Sequence, residues 1–81
     1  MKKFKINEHI VVDSNVCHGR PTFDGTRVMV WQVLEMLADG VDNKEIFKAY
    51  PSLTEDHLRS AFDYTSSITR DNNVLINLHV A

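Results

Sequence analysis

The chain has 81 residues, 43% of them apolar and 25% charged, with a formal net charge of −2, the composition of one globular domain. That balance excludes the overall basic excess of a free-standing nucleic-acid binder, no apolar run approaches the ~20 residues that span a bilayer, and the single cysteine, Cys17, excludes an internal disulfide. A core of this size supplies ~3–5 kcal/mol of net stability, so a second copy or a partner is expected. The start, MKKFKINEHI, lacks the continuous apolar stretch of a signal peptide, and the expected location is the cytoplasm.

In chain order the sequence predicts strands and a hairpin over 1–29, a three-helix unit over 30–68 and a C-terminal strand over 73–80, all within one domain, 1–81. Phe4 and Ile6 alternate with Lys3 and Lys5, and Ile10 and Val12 continue the apolar positions, which predicts one or two short strands. Asp24-Gly25, set between RPTF and TRVMV, predicts a hairpin with a two-residue loop. Such a loop pairs Phe23 with Thr26, Thr22 with Arg27 and Pro21 with Val28. The period of two then buries Pro21, Phe23, Thr26, Val28 and Val30, and turns Thr22, Arg27 and Met29 the other way. Gly19 falls where a turn with positive φ would precede the hairpin.

Val30, Val33, Leu34 and Leu37 recur at helical spacing, and Gly40 stands where a left-handed residue closes the helix. Asp42 and Glu45 have capping-box spacing, with Val41 and Ile46 placed as a hydrophobic staple. This second helix ends at Tyr50, because Pro51 disfavours helical geometry in the residue before it. Thr54 is a natural N-cap for a third helix, Leu53 and Leu58 repeat the staple, and Glu55 and Asp56 suit the positive end of the helix dipole. Leu58, Ala61, Phe62 and Thr65 are its expected inward face. The last two helices are joined in the manner of a helix-turn-helix. The tail NVLINLHVA alternates Val74, Ile76, Leu78 and Val80 against Leu75, Asn77 and His79. It predicts a strand able to pair within the chain, with a second copy or with a partner.

Gly19 and Gly25 are six residues apart, a spacing that fits neither a dinucleotide-binding nor a P-loop fingerprint. Cys17 and His18 are adjacent, and His9, His57 and His79 are scattered, so no metal set converges and Cys17 lacks a well-placed base. The expectation is a protein that is not an enzyme, has no cofactor, metal or small-molecule substrate, and does not enter a membrane. Arg27 serves either to bond backbone carbonyls or to meet a phosphate or partner carboxylate. Trp31 and Met36 flank the inward stripe of the first helix on opposite sides, which makes either a wide core or a partner interface. On the third helix Asp56, Arg59, Ser60, Asp63 and Ser67, with Glu55, form the expected outer face, and three acids against one arginine repel phosphate. Asn and Gln, the usual readers of adenine, are absent from it. Lys2, Lys3, Lys5 and Arg59 are the remaining weak candidates for DNA contact.

The order Gly19-x-Pro21, Gly25-Thr26-Arg27, Gly40, Glu45-Ile46, Tyr50-Pro51-x-Leu53-Thr54 and Ala61-x-x-Tyr64 resembles domain-of-unknown-function family number 433, over about residues 10 to 67. The resemblance implies a homeodomain-like tri-helical fold preceded by short strands. It also implies an antitoxin of a type II toxin–antitoxin pair whose toxin resembles a PIN-type ribonuclease. Such antitoxins bind the toxin directly and often repress their own operon. The resemblance transfers no catalytic residues, and the apolar tail departs from the charged extension expected there. The expected fold class is thus mostly α with short β elements. The leading functional expectation is a non-enzymatic antitoxin that binds a PIN-like ribonuclease. A dimeric DNA-binding autorepressor is the alternative. The candidate partner contacts are Arg27, Trp31, Met36, Arg70, Ile76, Leu78 and Val80, with Arg27 or Arg70 placed to meet the acidic site of a magnesium nuclease.

Overall fold

The structure, a computed structural model, describes residues 3–71, so the expected C-terminal strand over 73–80 lies outside the described residues. Strands β1 (Lys3–Lys5) and β2 (Ile10–Asp13) pair antiparallel with Phe4 opposite Val12. Strand β3 (Thr22–Phe23) adds to the other side of β2, with Ile10 opposite Phe23 and Val11 opposite Thr22. Helices α1 (Val30–Ala38), α2 (Asn43–Ala49) and α3 (Glu55–Asp71) follow. The mostly-α architecture behind a short antiparallel sheet is the expected one, with α3 running beyond residue 68.

The local signals act as the sequence predicts. At the end of α1 the Gly40 N–H donates to the Leu37 carbonyl and the Val41 N–H to the Met36 carbonyl, both at 3.0 Å, with Gly40 at φ +89°. These are the paired bonds of a Schellman cap. The Asp42 carboxylate accepts the Glu45 N–H at 3.1 Å to open α2. Val41 packs against the core cluster that contains the fully buried Ile46.

Sheet and helices share one core. Ile10 and Phe23 on the helix side of the sheet are fully buried with Val33 and Ile46, and Val30, Leu53, Leu58 and Ala61 complete the cluster. One polar side chain fastens the two layers. Asn7 Oδ1 accepts the N–H groups of His9 and Ile10, each at 3.1 Å, which shapes the β1–β2 turn as an Asx turn. Asn7 Nδ2 donates to the Ser60 carbonyl of α3 at 2.9 Å.

Two expectations are corrected. The Asp24-Gly25 turn forms where expected, its Thr26 N–H donating to the Phe23 carbonyl at 3.0 Å, but the Phe23 N–H then pairs with the Val28 carbonyl at 3.0 Å. Thr22 lies opposite Met29 in a single bridge. Of Asp24 and Gly25 only Gly25 has positive φ, +79°, whereas a two-residue type I′ loop needs both. Thr26 stabilises the longer route, its hydroxyl donating to the Phe23 carbonyl at 2.8 Å and accepting the Val28 N–H at 3.0 Å. The two-residue shift keeps Thr22 on the face opposite Phe23, as expected, on the side that carries Val11, but there it is only 1% exposed.

The second correction concerns α3, whose inward face is rotated from the expected one. Phe62 is 50% exposed, whereas Ser60 is 7% exposed and lies beside the Asn7 fastening. Leu58 and Ala61 are buried as expected, and Tyr64 packs against the core in the place assigned to Phe62.

Gly19 takes φ +78°, but it ends a run of three left-handed residues with Cys17 at 50° and His18 at 58°, a conformation that strains side-chain-bearing residues by ~1–2 kcal/mol each. The Gly19 N–H to Val16 and Arg20 N–H to Cys17 carbonyl bonds hold this turn, and Cys17 Sγ donates to the Arg27 carbonyl at 3.4 Å. Asn7→Ala removes three hydrogen bonds that join turn, sheet and α3, so it is expected to lower stability by about 2 kcal/mol in urea denaturation. Asn15→Ala, at an exposed loop position, leaves the midpoint in place.

Candidate interaction surface

Helices α1 and α3 leave a groove of about 240 Å³ between them, walled by Pro21, Trp31 and Leu34 on one side and Tyr64, Thr65 and Ile68 on the other, with Val30 beneath. Its exposed surface is wholly apolar, and the Thr65 hydroxyl is engaged by the Ala61 carbonyl at 2.9 Å. Trp31 is 45% exposed, and its Nε1–H donates to Met29 Sδ at 3.3 Å, which holds one end of the indole while its rings face solvent. The Met29 N–H in turn donates to Gln32 Oε1 at 3.2 Å at the start of α1. A partly exposed tryptophan at the lip of an apolar groove is the residue type that anchors protein interfaces.

A second concavity, about 340 Å³, lies on the other side of the sheet, lined by Val11 and Thr22 with Lys3, Asp13, Asp24 and Arg27 around it. Lys3 Nζ sits 3.3 Å from Asp24 Oδ1. Here two cations and two carboxylates balance, so the site favours neither phosphate nor a cation by net charge. The structure therefore brings Lys3 and Arg27 together and places both apart from Trp31, since the two hollows share no lining residue.

The other sequence candidates fall elsewhere. Met36 is half-buried, packs against the core and lends its carbonyl to the Gly40–Val41 cap. Lys5 is exposed on β1, and Arg59 and Arg70 are exposed on α3. With Ser60 buried, the outer side of α3 presents Glu55, Asp56 and Asp63 against Arg59 and Arg70, with Phe62 among them. Phosphate still meets an excess of carboxylate there. Lys2, Ile76, Leu78 and Val80 lie outside the described residues.

His9 and His57, expected to be scattered, are stacked with ring centroids 4.2 Å apart, and Phe23 meets His57 edge-on at 5.8 Å. His57 Nδ1 accepts the Thr54 N–H at 3.1 Å and lies 2.9 Å from the Thr54 hydroxyl. Because a backbone N–H only donates, Nδ1 carries no proton and neutral His57 is protonated at Nε2. The histidine thus takes the part that Glu or Gln plays in a capping box. Its position three residues after Thr54 is the signal that sequence reasoning passed over. Burial, then the neighbouring His9, push the His57 pKa below its ordinary value, and Asp56 opposes them in part. Glu8 Oε2 stands 3.9 Å from His9 Nε2.

Among the described residues no group of three or more His, Cys, Asp or Glu is placed to hold a metal ion, and no helix is long and apolar enough to cross a membrane. The fold defines a small α-rich domain on an N-terminal antiparallel sheet, with an apolar groove between its first and last helices. A family model described as "Protein of unknown function (DUF433)" matches residues 10–65, and the chain belongs to that family. No curated protein and no solved structure matches it.

The His57 geometry sets a pH dependence. A lowered folded-state pKa means that the unfolded chain binds the proton more readily, so stability is complete above the unfolded value of ~6.5 and is lost as pH falls through the folded one. Urea midpoints are expected to drop between about pH 7.5 and about pH 5.5, either side of that value. His57→Gln, which keeps an acceptor for the Thr54 N–H, flattens the dependence.

Proposed function

We propose that this chain is a non-enzymatic interaction module, an antitoxin-like protein that acts by binding a protein partner through the α1–α3 groove. The observation that carries this reading is the partly exposed Trp31 at the lip of a wholly apolar groove, in a domain of a size that gains stability from a partner. The family resemblance adds the kind of partner: a toxin resembling a PIN-type ribonuclease, in the cytoplasm. Such a partner presents an acidic metal-binding site. The cation to face it comes more readily from Arg70, on the helix that forms one groove wall, than from Arg27 across the sheet. Homodimerisation is a further part of the proposal, and it supplies a twofold arrangement of grooves. The carboxylate excess on α3 weighs against operator recognition through that helix.

The test is to express the tagged chain in its native host and identify what co-purifies at fixed stoichiometry. A nuclease-like protein in constant ratio is the expected result. Recovery of the chain alone, as a clean dimer, contradicts partner binding. With the partner in hand, Trp31→Ala is expected to weaken binding by about 2 kcal/mol, the scale of an interface hot spot. Lys44→Ala, at an exposed position on α2, leaves the affinity unchanged in a calorimetric titration.

A further inference from the structure

The hollow on the other side of the sheet has a polar group at its base that the fold does not use. Val11 and Thr22, partners across β2 and β3, both line it. They are 4% and 1% exposed although they point away from Ile10, Phe23 and the helix core. A hydroxyl buried to that degree ordinarily has a hydrogen-bond partner. The Thr22 hydroxyl bonds no group of the described residues, and it is not sealed within the protein, so it opens into the hollow.

The charges around it are only half matched. Lys3 stands opposite Asp13 in the β1–β2 register, yet its Nζ pairs with Asp24 Oδ1 at 3.3 Å instead. The Asp13 carboxylate is thereby left without a cation among the described residues. Its Oδ1 accepts the Asn15 N–H at 2.8 Å, and its second oxygen is free to accept. Arg27, on the rim after the Gly25 turn, forms no ion pair and no side-chain hydrogen bond among the described residues. One cation and one anion therefore face the hollow unmatched.

This pattern sorts the ligands. A phosphate would meet Asp13, and a divalent cation would meet Arg27, each with repulsion. A guanidinium fork matches a carboxylate, with the Thr22 hydroxyl as a further donor, and a carboxylate such as Asp13 accepts from an ammonium group. Val11 and Val16 give the lining an aliphatic part. The volume, about 340 Å³, lies at the lower end of the ~300–1,000 Å³ of small-molecule sites.

We infer that this hollow binds a small aliphatic zwitterion, an α-amino acid with a short apolar side chain. Its carboxylate meets Arg27 and Thr22, and its ammonium meets Asp13. The hollow shares no lining residue with the α1–α3 groove, so the inference does not rest on the proposed partner.

The test titrates L-alanine, L-valine and L-leucine through the millimolar range into the isotope-labelled full chain and follows the amide NMR shifts. N-acetyl-L-valine and L-valinamide, each lacking one of the two charges, are titrated beside them. Saturable shifts at Val11, Thr22, Thr26 and Arg27 are expected, with Leu34 and Ile68 in place. Each single-charge analogue, and each of Arg27→Gln and Asp13→Asn, is expected to weaken binding at least ~10-fold, the scale of a lost charge-assisted hydrogen bond. Thr22→Val is expected to weaken binding while leaving the urea midpoint unchanged, since the hydroxyl it removes has no protein partner. The absence of saturation with all three amino acids overturns the inference, as do shifts centred on Leu34 and Ile68. Equal affinity for N-acetyl-L-valine also overturns it and assigns the hollow to carboxylates alone, including acidic side chains of a protein. A lowered midpoint in Thr22→Val with binding intact makes the hydroxyl structural and likewise contradicts it.

Discussion

Ile10 and Phe23, paired across β2 and β3 and both fully buried, are the contact through which sheet and helices become one domain. A three-stranded sheet whose strands are two to four residues long has too little paired backbone to persist alone, and the three helices need an apolar layer to lie on. Phe23 supplies that layer at the place where the chain turns from strand to helix. The Asn7 bridge to Ser60 then fixes how α3 lies over the sheet, and the Pro21 carbonyl accepts the Val30 N–H at 3.0 Å, so α1 starts directly from the β3 segment. The groove follows from these constraints, because α1 and α3 are both tied to the sheet and leave a hollow lined by Pro21 and Trp31 between them.

Much of this was legible in the sequence because it is local. The left-handed Gly40 and the Asp42 cap depend on a single-residue conformation and on a spacing of three residues, and both appear as read; Val41, Ile46, Leu53 and Leu58, set at staple spacing, all join the core. The failures come from tertiary context. Phe62 and Ser60 exchange their expected roles because the rotation of α3 is set by Asn7, more than fifty positions away, and by Tyr64 filling the core instead. The 24–27 turn lengthens because the Thr26 hydroxyl offers bonds that a periodicity argument does not count. Periodicity identifies a helix's stripe only when the stripe is strongly apolar. On α3 it is shared among His57, Ala61, Tyr64 and Thr65, side chains of middling polarity.

The candidate site was half legible. Trp31 stood out by residue type, and its partners in the groove wall, Tyr64 and Ile68, became visible only once α3 was placed. Arg27 matched the family pattern, yet it lies on the other side of the sheet from Trp31, beside Lys3, Asp13 and Asp24. In the structure its backbone carbonyl receives Cys17 Sγ, which ties the motif to the left-handed Cys17–Gly19 turn. The histidine stack was invisible to a search for metal or catalytic spacing because its function is to cap a helix and cover Phe23.

These features describe a domain whose buried side is used by its own fold and which, among the described residues, opens an apolar recess between α1 and α3. The claim that this recess is where a partner docks is tested most directly by amide hydrogen exchange, measured on the chain alone and on the stoichiometric complex isolated from its native host. The account predicts added protection in α1 and in the half of α3 from Ala61 to Thr69, with α2 and β1 unchanged. Protection confined to β1 and the 24–27 turn, with both helices exchanging as before, would contradict it.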